Sequence, residues 1–184
     1  IAREALAEGP VSLTGNLLQT ETGVLSVAVE AGKTYDAPLL SVSGTAEVHG
    51  EIDVDLANQT VGAGDVDIVA AGGGLDPAST ARLSNGLNGP VSRFALLHRF
   101  GNKLSLNYDI DFARAEVLAG LPANQGAVAG ALRQVYAGRT IDADFLPLLQ
   151  VASLHDYSRL LERLTPVPYA MTQTVVARSS DRFN

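Results

Sequence analysis

"VSGTAEVHGEIDVDL", residues 42–56, alternates apolar and polar residues around two glycines, Gly44 and Gly50. Strict alternation marks a half-buried strand, because successive side chains point to opposite faces. The glycines fall where turns belong. The shorter stretch "LTGNL" (13–17) reads as a degenerate copy of the same rung. Outward from this pair, "VSLTGNLLQTETGVLSVAVEAG" (11–32) alternates and ends at glycine, and "GDVDIVAAGG" (64–73) supplies another short strand. Short strands parted by glycine at roughly 20-residue spacing predict stacked solenoid coils, none able to bury its apolar face alone. A β-sandwich also has short, regularly spaced strands, and periodicity leaves both open.

The chain of 184 residues is long enough for a sizeable core, and 46% hydrophobic against 18% charged residues is a globular balance. A formal net charge of −7 argues against nucleic acid, whose phosphates call for clustered Lys and Arg. No apolar run reaches the roughly 18 residues of a lipid-spanning helix. There is no cysteine. Small secreted proteins usually use disulfides, so their absence fits best a secreted chain that must stay threadable through a narrow pore. The chain opens at Ile1 with neither Met nor a signal-peptide pattern, and reads as a piece of a longer protein.

Further along, "GGGLDPASTARLSNGLNGP" (72–90) reads as a loop. A hairpin follows: Phe94, Leu96, His98 and Phe100 alternate before the turn "GNK", and Leu104, Leu106, Tyr108 and Ile110 alternate after it. Both apolar sets should lie on one buried side. Then the pattern switches. In "LPANQGAVAGAL" (121–132) Asn124 suits a helix N-cap, and Val128, Ala131, Leu132, Val135 and Tyr136 share one helical face, with Gly138 as the stop. A second helix is expected over 143–152. A third opens at Ser153, whose hydroxyl can cap the Asp156 N–H, and presents Leu154, Tyr157, Leu160, Leu161 and Leu164. Pro166 can begin a fourth, which would run about 27 Å to Phe183. It is too polar to face lipid and could cross a membrane only inside a water-lined pore.

In this order the pieces resemble the C-terminal end of the passenger of an autotransporter of the type Va secretion class. The motifs are Asn124-Gln125 through Ala131-Leu132, the leucine-rich stretch Leu148-Leu149, Leu154, Leu160, Leu161 and Leu164, and the junction Leu164-Thr165-Pro166-Val167-Pro168-Tyr169-Ala170-Met171-Thr172-Gln173-Thr174 with Arg182-Phe183. The match is specific over 121–183 and diffuse over 11–111. Where the family often has Gly-Glu, Pro166-Val167 stands here.

The resemblance implies a mostly β fold with a C-terminal α segment: the end of a right-handed parallel β-helix, capped by a β-hairpin and followed by short helices. Residues 1–111 would be the terminal rungs and an autochaperone-like cap, 112–165 a helical segment, and 166–184 a junction helix leading to a β-barrel. The function implied is non-enzymatic: a folding template for the upstream passenger at the outer membrane, linked to the barrel and through it to the barrel assembly machinery. No cofactor is implied. Phe94, Leu96, Leu104, Leu106 and Tyr108 would pack the cap, Asn124 would start the helical segment, and Leu132, Tyr136, Leu160 and Leu164 would hold it together.

Other chemistry has less behind it. His49, His98 and His155 have no metal-ligand spacing to one another, and His98 reads as a core residue on the apolar face of its strand. His155-Asp156 lacks a G-x-S-x-G nucleophile elbow. Asp53, Asp55, Asp65 and Asp67 could line a calcium or sugar face of a carbohydrate-active enzyme, or simply be the wet side of a half-buried sheet. An adhesin passenger is the third reading, with no large aromatic or charged patch to support it. The glycine-rich stretches 62–65 and 72–76 lack the Lys-Ser/Thr ending of a phosphate loop.

Overall fold

The structure, a computed structural model, describes residues 10–57, 59–84, 88–99 and 101–164. It is mostly β with a C-terminal α segment. Three short strands, β1 (Val11–Leu13), β2 (Leu17–Gln19) and β3 (Val24–Glu30), are followed by three more, β4 (Leu40–Val42), β5 (Ala46–Val48) and β6 (Glu51–Ala57). Then come β7 (Gly62–Ala71) and the two-residue β8 (Arg82–Leu83). Each strand lies parallel on the corresponding one of the next pass: β1 on β4 on β7, β2 on β5, β3 on β6 on β8. The chain therefore visits three sheets in a fixed cycle.

The register explains the repeat. Val11 pairs with Leu40 and Leu40 with Val69, a step of 29 residues each time. The step from Leu17 to Ala46 and on to Leu75 is the same. "LTGNL" is indeed the counterpart of the opening of 42–56, with Leu13 on Val42 and Leu17 on Ala46. The period is 29 and not about 20, because the nine-residue stretch 31–39 separates β3 from β4. In the third sheet Val24 pairs with Glu51, since four residues part β2 from β3 but only two part β5 from β6. That tight second corner needs glycine: Gly50 has φ 70°, and a Cβ there would lie 2.4 Å from the Gly23 carbonyl oxygen.

Side-chain alternation decides what is buried. Leu25, Val27 and Val29 of β3 point inward above Ile52 and Val54 of β6, while Ser26, Ala28 and Glu30 point out. Each fully buried Val or Leu contributes about 1.5–3 kcal/mol. The stretch 72–90 is not all loop: Leu75 bridges Ala46, and β8 pairs with β6. Parallel pairing stops at β7. There β10 (Lys103–Ile110) lies antiparallel on β7, and β9 (Ser92–Arg99) antiparallel on β10, so the hairpin closes the first sheet in the order β1-β4-β7-β10-β9.

The helical segment comprises α1 (Ala115–Leu118), α2 (Ala123–Val135), a 3-10 turn (Ala143–Phe145), α3 (Leu146–Leu149) and α4 (Leu154–Leu164). The expected helix over 143–152 is thus a 3-10 turn and a single α turn, whose last carbonyl, Leu149, accepts from the Ser92 hydroxyl at 2.9 Å. Ser153 caps as expected, its Oγ accepting from the Asp156 N–H at 3.1 Å. The expected fourth helix lies outside the described residues. Ile141 N–H donates to the Gln59 carbonyl at 2.7 Å, and Val61 and Thr60 bridge Ala137 and Thr140. Buried side chains from Leu25 to Leu161 form one core cluster shared by strands and helices.

Candidate functional site

Two places could do work: the end of the stack that the hairpin closes, and the opposite end. At the closed end Leu104, Leu106, Tyr108 and Phe94 are buried and Leu96 is partly buried. Tyr108 also reaches across the stack. Its hydroxyl accepts from the Gly32 N–H at 2.7 Å, tying β10 to the end of the first pass. Gly64, opposite Tyr108 on β7, makes room for it, since a Cβ there would lie 2.5 Å from the hydroxyl. The outer edge of β9 is paired at one residue, Phe94. Phe94 N–H donates to Asn88 Oδ1 at 2.6 Å, and Asn88 Nδ2 donates to the Phe94 carbonyl at 3.2 Å. One amide side chain stands in for a neighbouring strand, which blunts the edge.

The acidic residues of β7 bind this hairpin down. Asp67 accepts from Lys103 Nζ at 2.5 Å and Ser105 Oγ at 2.6 Å. Burial alone would raise its pKa, but the bonds from Lys103 and Ser105 and the nearby positive charges outweigh burial and hold it below the usual carboxylate value. Asp65 accepts from Arg99 at 2.8 Å and Asn107 at 2.9 Å. Asp53 and Asp55 lie on β6 in a different sheet, so the four carboxylates do not form one face. Asp53 accepts from Ser84 at 3.2 Å and Ser26 at 3.4 Å. Among the described residues no group of three or more His, Asp or Glu is placed to hold a metal ion. The cleft beside β6, about 390 Å³ and lined by Asp53, Asp55, Gln59, Ser84, Phe94 and Leu149 among others, contains no histidine.

His98 is exposed, not a core residue: it stands near the hairpin tip on the outermost strand, where the core ends. His49 bonds Glu47 and Thr80, each at 2.8 Å, and His155 is exposed.

In the helical segment Asn124 does not start α2. Pro122, with φ −56° and ψ 149°, turns the chain into the helix, and no side-chain cap is made. Asn124 is exposed one position inside the helix, while its neighbour Gln125 is buried and accepts from Ser158 Oγ at 2.6 Å. The buried face of α2 is Gln125, Ala129 and Leu132, continued by Tyr136; Ala131 and Val135 are exposed. Gly138 follows two residues beyond the Tyr136 C-cap, with φ 67°. Tyr136 packs between Phe112 and Phe145, its ring tilted to theirs by 44° and 58° at centroid distances of 6.1 and 5.6 Å. On α4 the fully buried residues are Tyr157 and Leu161, with Leu160 partly buried and Leu164 41% exposed. Tyr157 donates to the Phe112 carbonyl at 2.8 Å.

The opposite end has none of this covering among the described residues. Among the described residues β1, β2 and β3 each have a strand on one side only. Leu18 on β2 is 65% exposed and Val24 on β3 60%. The run Val24–Val29 carries no charge and no proline, the devices that usually protect an edge strand. Among the described residues no helix is long and apolar enough to cross a membrane. No family model, no curated protein and no solved structure matches this chain.

Proposed function

We propose that the chain is a non-enzymatic secretion and folding module, the C-terminal part of an autotransporter passenger with its junction. The observation that carries the reading is the contrast within the strand stack: the hairpin β9–β10, with Asn88 bonded to Phe94, closes the first sheet on one side, while on the other side, among the described residues, β1, β2 and β3 each have a strand on one side only and Leu18 and Val24 are exposed. In a stack held by nearest-neighbour contacts, a finished unit with one open end is a template on which further coils add. Under this reading the three-sheet cycle is the end of a right-handed parallel β-helix and β9–β10 is its cap. The passenger upstream adds to β1, β2 and β3, and the barrel downstream, assembled by the outer-membrane machinery, holds the unit at the cell surface. Folding outside the membrane then draws the chain forward without nucleotide.

The test is secretion of a passenger placed upstream of this chain, with a barrel downstream, in a Gram-negative host. Leu106→Ala with Tyr108→Ala should sharply reduce folded passenger at the surface while barrel insertion is unchanged. Wild-type surface yield from the double variant would defeat the proposal.

A further inference from the structure

The joint between the hairpin and the helices holds a buried charge. Arg114 precedes α1 and its side chain is 4% exposed. Its Nη2 donates to the Asp109 carbonyl on β10 and to the Val91 carbonyl at 3.3 Å, just before β9, and the same Nη2 lies 3.1 Å from the Asp109 carboxylate. Those contacts grip both strands at the end of the hairpin away from its turn. The same corner carries the buried bonds to the helices, Ser92 Oγ to the Leu149 carbonyl and Tyr157 hydroxyl to the Phe112 carbonyl. Yet Nε and Nη1 of Arg114 make no hydrogen bond among the described residues. A half-satisfied buried cation is a poor way to gain stability, because desolvation offsets most of its attraction. What it offers is geometry: a single nitrogen, Nη2, at the end of a buried side chain holds two chain segments at once.

We propose that Arg114 is a positioning residue that makes the hairpin and the helical segment open and close as one unit. While it grips Val91 and Asp109, the chain that leaves β10 is fixed, and α4 cannot detach without disturbing the hairpin end. The inference does not rest on the secretory reading.

Amide hydrogen exchange on the full chain tests it. In the wild type, amides of β10 and of α4 should exchange through a common opening. In Arg114→Met, which keeps the apolar stem, α4 amides should exchange at least about tenfold faster, the equivalent of one lost charged hydrogen bond, with β10 changed by less than about threefold. Arg114→Lys should show the same split more weakly, because its Nζ stops about one bond short of the position of Nη2, the atom that meets both carbonyls. Should Arg114→Met fail to fold, Arg114→Lys decides. Separate openings in the wild type would overturn the proposal, as would a variant that speeds both regions equally or neither.

Discussion

At the residue scale, Tyr108 shows how a side chain named for packing does a second job. Its ring is buried with the hairpin, and its hydroxyl secures the Gly32 N–H from a strand pass 76 residues earlier. Tyr108→Phe keeps the ring and should cost about 1 kcal/mol in urea unfolding. Gly64→Ala should cost more, roughly 1–3 kcal/mol, because the new methyl meets both the hydroxyl and, at 2.7 Å, the ring carbon that bears it. Asp67 gives a pH signature. Burial would raise its pKa, and the bonds from Lys103 and Ser105 bring it below the ordinary value. Its contribution is therefore complete above the unfolded value of about 3.9 and is lost as pH falls through the lower folded value. The urea midpoints of the wild type and Asp67→Asn should converge on acidification; a gap that stays constant with pH would contradict this. The bond from Tyr108 to Gly32 could not be read from the sequence, since nothing local announces a partner that distant.

Among the elements, the hairpin is the most legible. Its sequence alternates apolar and polar residues from Leu104 to Ile110, as a strand with one dry face should, although Ser105 is itself buried where its hydroxyl bonds Asp67. The same rule misplaced His98, because alternation says which side a residue faces and not where the core ends. Asn124 misled for a different reason: a good capping residue stood two positions after a proline whose fixed φ had already set the helix entrance. The repeat was legible in "LTGNL", but its length was not, because corners of two, three, four and nine residues give steps of 29 in two sheets and of 27 and 31 in the third. The helices are not a mere connector. Leu161 and Tyr157 sit in the same core as Leu104 and Leu106. Leu106→Ala and Leu161→Ala should each cost about 2–5 kcal/mol. Both should shift strand and helix signals together in one circular-dichroism transition; a Leu161→Ala variant that melts the helices alone would contradict a shared core.

At the scale of the whole molecule the strand stack is asymmetric: the hairpin closes one side of the first sheet, whereas among the described residues β1, β2 and β3 are each paired on one side only, which the proposal takes as the end that is extended. That asymmetry was only half visible in the sequence. The cap could be named from Phe94 to Ile110, whereas the bare end appears only once the pairing order leaves β1, β2 and β3 outermost. The most direct measurement inserts a second copy of residues 11–39, one full step of the repeat, between Pro10 and Val11, and follows amide exchange. If the end is a template, the copy folds onto it and amides of β1, β2 and β3 slow by at least about tenfold, as edge strands become interior ones. If the copy stays accessible to protease and those amides exchange as before, the open end is not a site of growth and the folding-module account is wrong.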